Sequence, residues 1–363
     1  MRLGRWSLGC YRLAYEREVR WADGVEAAGV FALLRLESAD GAVGIAEATL
    51  KPTWSGVSPR SLAVTLEDVL VPRLAGADLG DAEAVSQRLR AIPDNWLAKG
   101  MLETAGWTLR AATLGTPLWK LWGGEPGVEL SWTLTRQAPR AMAAEAAAMV
   151  GRFGFRYLKI KGGQGIATDL EALAEIRAAV GGRVALSVDA NAAYAREQAA
   201  DYVARIAEAG AVLAEDPCPL VADAEFEKLQ RDAPIPILVD ADCVAREHAE
   251  RYLDRGARAL SAKPGRSGLT ESREIARVAR DAGAAAVIGL YAESALGTLI
   301  NLQQAAALPP GERAAPAELT FFLGMREQVL ADPLDVRAGA LTLPASADLA
   351  QLVDWDRVRR YAL

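Results

Sequence analysis

The rhythm of apolar and polar positions changes twice along the chain. Near the start, "GVFALLRLESADGAVGIAEATL" (residues 29–50) reads as two strands joined by a turn at Asp40-Gly41. Helical periodicity follows from about residue 59 to 118, as in "NWLAKGMLETAGWTLRAATLG", and closes at "LWGG". Strands followed by helices predict a separate α+β unit. From about residue 129, short apolar runs alternate with amphipathic stretches. "ELSWTLT", "YLKIKG", "VALSVDAN", "AVLAEDP", "IPILVDAD", "ALSAKPG" and "AAVIGLYAES" are strand-like; "DLEALAEIRAAVG", "REQAADYVARIAEAG", "REHAERYLDRG" and "ESREIARVARDAG" between them are helical. The runs are nearly all apolar, as parallel strands covered by helices must be.

A polar residue closes each run at an even step. Lys161 to Asp189 is 28 residues, and the following steps to Glu215, Asp240, Lys263 and Glu293 are 26, 25, 23 and 30. Each step holds one strand, one helix and two loops. Seven runs, with an eighth near "AELTFFLG", predict an α/β fold of TIM-barrel type. A doubly wound sheet requires a Gly-rich phosphate turn after its first strand, and "GGQG" after Lys161 lacks that spacing. After residue 325 the texture breaks again, and the last segment is expected to pack back on the first unit. The expected divisions are 1–126, 127–325 and 326–363.

Composition narrows the class. Hydrophobic residues make up 51%, enough for a sizeable core, and a net charge of −6 argues against a nucleic-acid partner. No run approaches 18 apolar residues and no secretory leader is visible, so neither a membrane span nor export is expected. Three cysteines (Cys10, Cys218 and Cys243) are no disulfide framework, which points to a reducing cytoplasm.

In a parallel barrel all strand C-termini open on one face. Lys159, Lys161, Asp189, Asn191, Glu215, Asp240, Lys263 and Glu293 are therefore expected around one cavity. A single strand-end acid is more often a helix cap. Asp189, Glu215 and Asp240 on three consecutive strands make a hard oxygen site suited to Mg2+ or Mn2+. Asp216 and Asp242 are rival ligands, and Asn191 is a support for Asp189. The lone His248 lies in a helical stretch, which argues against a histidine-ligated zinc site.

The pair in "KIK" supplies proton transfer. A free lysine, with a pKa of about 10.4, is a poor base at neutral pH. A second ammonium beside it disfavours the charged form, so Lys159 is a means of tuning Lys161. Lys263 lies four strands on, across the mouth. A carboxylate substrate on the metal would lose or gain a proton at its α-carbon, with the ion stabilising the enolate. Glu293 would hydrogen-bond that carboxylate, donate a proton, or cap the next helix.

The residues "KIK", "VDAN", "EDP", "VDAD" and "KPGRSGL" together resemble the enolase superfamily, and within it the muconate-lactonizing-enzyme subgroup. The resemblance covers nearly the whole chain. It implies a modified β/α barrel with an N-terminal α+β capping domain completed by the C-terminal segment. It also implies Asp189, Glu215 and Asp240 as metal ligands, Lys161 as principal acid/base with Lys159 orienting it, and Lys263 facing it. Two departures stand out: Ala241 where the subgroup usually has Glu, and "VIGLYAES" in place of a Gly-rich lead to the seventh-strand acid. "PTWSG" and an eighth-strand "EL" look more like the cycloisomerases, whereas the Asp-x-Asp of dipeptide epimerases is missing from "AELTFFLG". Cycloisomerase-like chemistry on a small carboxylate is the favoured expectation, in a homo-oligomer. N-acylamino acid racemase or dipeptide epimerase, then o-succinylbenzoate synthase, are the rivals; a Schiff-base aldolase and a non-catalytic binder are the alternatives from other classes. Tyr15, Arg17, Arg20, Trp21 and Trp54 are substrate-pocket candidates.

Overall fold

A computed structural model describes all 363 residues. The N-terminal unit is a three-stranded antiparallel sheet of Leu3–Arg20, Val25–Ser38 and Val43–Thr49. One face of that sheet (Ala32, Leu34, Leu36 and Ala46) is sealed by the helix Trp96–Leu114 through Leu97, Met101, Leu102, Ala105 and Leu109. The apolar spacing of that helix in the sequence is the spacing of this buried stripe.

Seven parallel strands form the second unit: Trp132–Leu134, Tyr157–Lys161, Ala185–Asp189, Ala211–Glu215, Ile237–Val239, Ala259–Ala262 and Ala285–Ile288. Each pairs with its sequence neighbour, so the sheet runs in chain order. The helices Pro139–Phe153, Ile166–Val180, Arg196–Glu208, Ala224–Asp232, Arg246–Leu253, Pro264–Asp281 and Ala295–Ala307 follow the strands in turn. The expected eighth strand is not a regular one. Residues 313–318 cross the gap between the seventh and first strands through isolated bridges at Ala286–Arg313 and Leu130–Ala317. Glu318 N–H donates to Ile288 O at 3.0 Å, and Ser131 N–H to Ala317 O at 2.9 Å. Pro316 stands in this segment and has no N–H to donate, which breaks the ladder while the barrel still closes.

Side chains alternate across each strand, so the barrel interior fills in layers. Its floor is Tyr157, Leu213, Leu238, Ala259, Val287 and Ala315, all buried. Two residues further along, Lys159, Glu215, Asp240 and Ser261 take the inward positions of four of these strands, and the site begins there.

The last segment turns back twice. Ala340–Thr342 pairs with Gly127–Glu129, and also with Val336–Arg337. The C-terminus then meets the first strand, where Leu363 N–H donates to Cys10 O and Arg12 N–H to Tyr361 O, both at 3.0 Å. The two units also meet at a glycine pair. A Cβ on Gly100, in the long N-terminal helix, would lie 2.5 Å from Gly268 N and Ser267 C. Gly268 has φ +85° and breaks the helix that starts just after Lys263. Backbone therefore touches backbone, and the helix carrying Lys263 is pinned by the N-terminal unit. Gly100→Ala is expected to cost about 1–3 kcal/mol through this clash. Urea unfolding of the variant should show a lowered midpoint, whereas an unchanged midpoint would mean that the two backbones are not in contact.

Candidate active site

Strand register brings the expected residues together. Lys161 pairs with Asp189, and Asp189 with Glu215, along one line across three strands. Glu215 pairs with Leu238, so Asp240 lies two residues further along the same face. Lys159 sits one layer below, opposite Ser187. Lys263 follows the sixth strand, four strands from Lys161, on the far side of the mouth.

Lysines and acids interlock. Lys159 is 1% exposed and its Nζ lies 2.6 Å from Glu215, 3.0 Å from Glu318 and 3.2 Å from Asp189. Lys161 Nζ is 2.5 Å from Asp189 Oδ2. Lys263 is paired with Asp240, which also takes Arg266 Nη1 at 3.2 Å. Burial works against a charge on Lys159, but Glu215, Glu318 and Asp189 outweigh it and hold the amine protonated well above its ordinary pKa. Lys159 is thus enclosed by three carboxylates in the barrel wall. Burial likewise opposes the charge of Asp189 and of Asp240, yet Lys161 and Lys159 pull the first below the usual carboxylate range, and Lys263 and Arg266 pull down the second. Glu215 goes the other way. Burial and the adjacent Asp189 push it up, because three carboxylates here share two ammonium groups.

The three acids do not by themselves close into a ligand cluster; ammonium groups lie between them. The donor set nevertheless fits a hard divalent cation. The three acids are buried carboxylates on adjacent strands, and Glu215 Oε1 is buried without any hydrogen-bond partner. The rival acids are engaged elsewhere. Asp216 accepts the backbone N–H of Asp240 at 3.0 Å and of Ala241 at 2.8 Å, and Asp242 accepts Tyr252 Oη–H at 3.1 Å. Asn191 reaches Asp189 through its backbone N–H (2.9 Å) from a left-handed turn at φ 49°, not through a side chain on the strand face.

Glu293 lies five residues beyond the end of the seventh strand, in the loop that leads to the next helix. Its oxygens accept Tyr291 N–H at 2.8 Å and Asn301 Nδ2 at 3.1 Å, so the carboxyl braces its own loop. The cap of the following helix is Ser294. Tyr15, Trp21 and Trp54 come together over the mouth. Trp21 meets Trp54 at 5.0 Å and Phe321 at 5.2 Å, Tyr15 meets Phe321 at 5.3 Å, and Trp54 meets Tyr291 at 5.2 Å. Arg17 and Arg20 instead line a separate opening of about 510 Å³ with Arg136 and Gln164.

The "Mandelate racemase / muconate lactonizing enzyme, N-terminal domain" family matches residues 16–123, and the "Enolase C-terminal domain-like" family matches 141–349. The chain is 30% identical to muconate cycloisomerase 1-2 of Acinetobacter lwoffii over 344 residues, covering 90% of this chain and 87% of the other. It is 30% identical to chloromuconate cycloisomerase of Pseudomonas putida, covering 89% of each. The chain belongs to the mandelate racemase/muconate lactonizing enzyme family. It is thus an isomerase of the enolase superfamily. Its fold matches muconate lactonizing enzyme from Mucobacterium Smegmatis complexed with muconolactone (TM-score 0.94, 24% identity, all of both chains). It also matches the L-Ala-D/L-Glu epimerase of Bacillus subtilis (TM-score 0.88, 25% identity, 96% of this chain and 98% of the other).

Within this mandelate racemase/muconate lactonizing enzyme frame, three further residues at the site carry contacts that the sequence reading assigned to none of them. Glu318 ends the irregular eighth segment and binds Lys159. Arg266 stands one helical turn after Lys263, so both reach Asp240. Glu47 comes from the third strand of the N-terminal sheet and accepts Tyr11 Oη–H, Ser294 Oγ–H at 2.5 Å and Ser294 N–H at 3.1 Å, tying the seventh-strand loop to that sheet. The "EL" of the eighth run and the spacing in "KPGR" were the available signals for the first two; Glu47 had none.

Burial, reinforced by Glu47, pushes the pKa of Glu293 up to about 7, against the opposing Tyr291 N–H and Lys263. An unfolded glutamate releases its proton near 4.3. Between those values the folded chain holds a proton that the unfolded chain has lost, so this group lowers stability as pH rises through that window and adds nothing further above it. The cost reaches at most about 4 kcal/mol. In Glu293→Gln, stability relative to the parent should therefore improve from pH 5 to pH 8. Urea midpoints at the two pH values check this, and a difference that stays constant would contradict a buried titrating carboxyl.

Proposed function

We propose that the protein is a muconate cycloisomerase-like lactonizing enzyme acting on a small unsaturated dicarboxylate. Asp189, Glu215 and Asp240 would hold Mg2+ or Mn2+. When bound, that ion supplies positive charge to one carboxylate of the substrate and favours electron density at the adjacent carbon. The remaining work falls to this chain's own side chains.

Lys161 carries the proton. Its side chain is 13% exposed against 1% for Lys159, so of the "KIK" pair it is the one open to the mouth. The contact with Asp189 fixes the direction of the amine. In lactonisation an oxygen of one substrate carboxylate adds to a carbon of the distal double bond. The electron pair moves to the carbon next to the other carboxylate, and Lys161 Nζ gives that carbon a proton. Lys159 stays charged throughout, balances the acids and holds Glu215 and Asp189 in place. Tyr15, Trp21 and Trp54, with Phe321 and Tyr291, exclude water above the reacting carbons. Glu293 positions the loop bearing Tyr291.

The single observation carrying this reading is the line Lys161–Asp189–Glu215 with Asp240 beside it, at the mouth of a barrel whose curated relatives named above are cycloisomerases. Lys263 on the far side favours a second reading, racemisation or epimerisation with one amine on each face of the substrate. Incubation with cis,cis-muconate in D2O separates the two. Lactonisation leaves one deuterium in a new product, whereas racemisation of an N-acyl amino acid or dipeptide exchanges the α-hydrogen without net conversion. Lys161→Ala is expected to lower kcat at least about 10²-fold with muconate. Turnover near that of the parent would reject Lys161 as the proton carrier.

A further inference from the structure

On the flank of the barrel, where the N-terminal unit meets two barrel helices, lies a cavity of about 470 Å³ that none of the site's acids or lysines lines. Three buried polar atoms in its wall have no hydrogen-bond partner: Trp122 Nε1, Gln304 Nε2 and Gln304 Oε1. Gln304 is only 3% exposed, so its amide has given up water without replacement. Beside it, the Arg273 guanidinium lies over the Trp122 ring at 4.1 Å and the Trp107 ring at 5.4 Å. The stacked faces leave the N–H edge free.

Arg273 has no ion-pair partner among the acids of this wall. Glu274, its neighbour, binds Arg277 at 2.8 Å; Asp81 accepts the Ala84 N–H at 3.0 Å; Glu83 accepts Gln87 at 3.1 Å. Burial, only partly offset by Glu274, pushes the pKa of Arg273 down to about 10. A guanidinium that has lost water without gaining a carboxylate behaves this way. Unmet donors of Trp122 and Gln304 thus lie beside a guanidinium that no carboxylate pairs, and Arg110 in the same wall reaches only the carbonyl oxygen of Gly80, at 3.1 Å.

We propose that this cavity binds a small organic carboxylate. Arg273 would take the two oxygens side by side, and Trp122 Nε1–H and Gln304 Nε2–H would donate to them. Gln304 Oε1 would accept from a hydroxyl of the same molecule. The carboxylates of Asp81, Glu83, Glu274 and Glu312 in the same wall oppose a phosphate dianion more strongly than a monoanionic headgroup.

4-Fluorobenzoate, titrated into the full chain and followed by fluorine NMR, serves as the probe. Binding should weaken at least about tenfold in Arg273→Ala and, independently, in Gln304→Leu, with both variants folded by circular dichroism. Inorganic phosphate at equal concentration should displace little of it. The assignment is overturned if the parent shows no binding below millimolar probe, or if both variants bind as the parent does, since the probe would then sit in the barrel mouth. It is also overturned if phosphate competes equally. Arg273→Ala breaking an oligomer in sedimentation while leaving probe binding unchanged would overturn it too, by making a second copy of this chain the occupant.

Discussion

The architecture depends on burying a row of carboxylates without leaving any charge isolated. An unpaired ion in a barrel wall costs several kcal/mol even after relaxation. Here Asp189, Glu215, Glu318 and Asp240 are answered by Lys159, Lys161, Lys263 and Arg266. Parallel pairing makes this possible, because register alone puts Lys161, Asp189 and Glu215 side by side. The apolar floor below them keeps water out from underneath, and the aromatic cluster narrows access from above. The two lysines of "KIK" therefore have different surroundings. Lys159 is enclosed by acids in the wall, whereas Lys161, two residues on, reaches the opening.

The N-terminal unit contributes to the same balance from outside the barrel. The Gly100–Gly268 approach fixes the helix that begins after Lys263. Glu47 fixes the loop that carries Tyr291 and Glu293. Trp21 and Trp54 also lie within 4.8 Å of Lys51 Nζ, which is itself paired with Asp23 and Glu26. The cover over the mouth is thus held by buried polar contacts as well as by apolar packing, and its shape depends on residues some distance from the reacting atoms.

Much of this was legible in the chain. A strand-end polar residue every 23–30 positions dictates both the barrel and the converging acids, because one strand–helix repeat sets the spacing and one open face collects the ends. What the chain did not disclose were contacts made in three dimensions. The eighth segment keeps its place with two bridges and a proline, so its strand signal was stronger than its strand. Asn191 and Glu293 lie past the ends of their strands, where a turn and a loop redirect them and alternation along the strand no longer applies. Glu47 acts across elements far apart in sequence, and neither periodicity nor motif spacing marks such a contact in advance. Arg17 and Arg20 part from the aromatic cluster because the pairing of the first two strands is interrupted between Ala14 and Val19, where simple alternation along the strand fails.

The central claim is that the buried acids form a site for one divalent cation, with the lysines as their counter-charge. Mn2+ binding by electron paramagnetic resonance, on the parent chain and on Asp189→Asn, Glu215→Gln and Asp240→Asn, tests it most directly. The account predicts one tightly held Mn2+ per chain in the parent and a large loss of affinity in each of the three variants. No bound Mn2+ in the parent, or equal binding in the parent and all three variants, would contradict it.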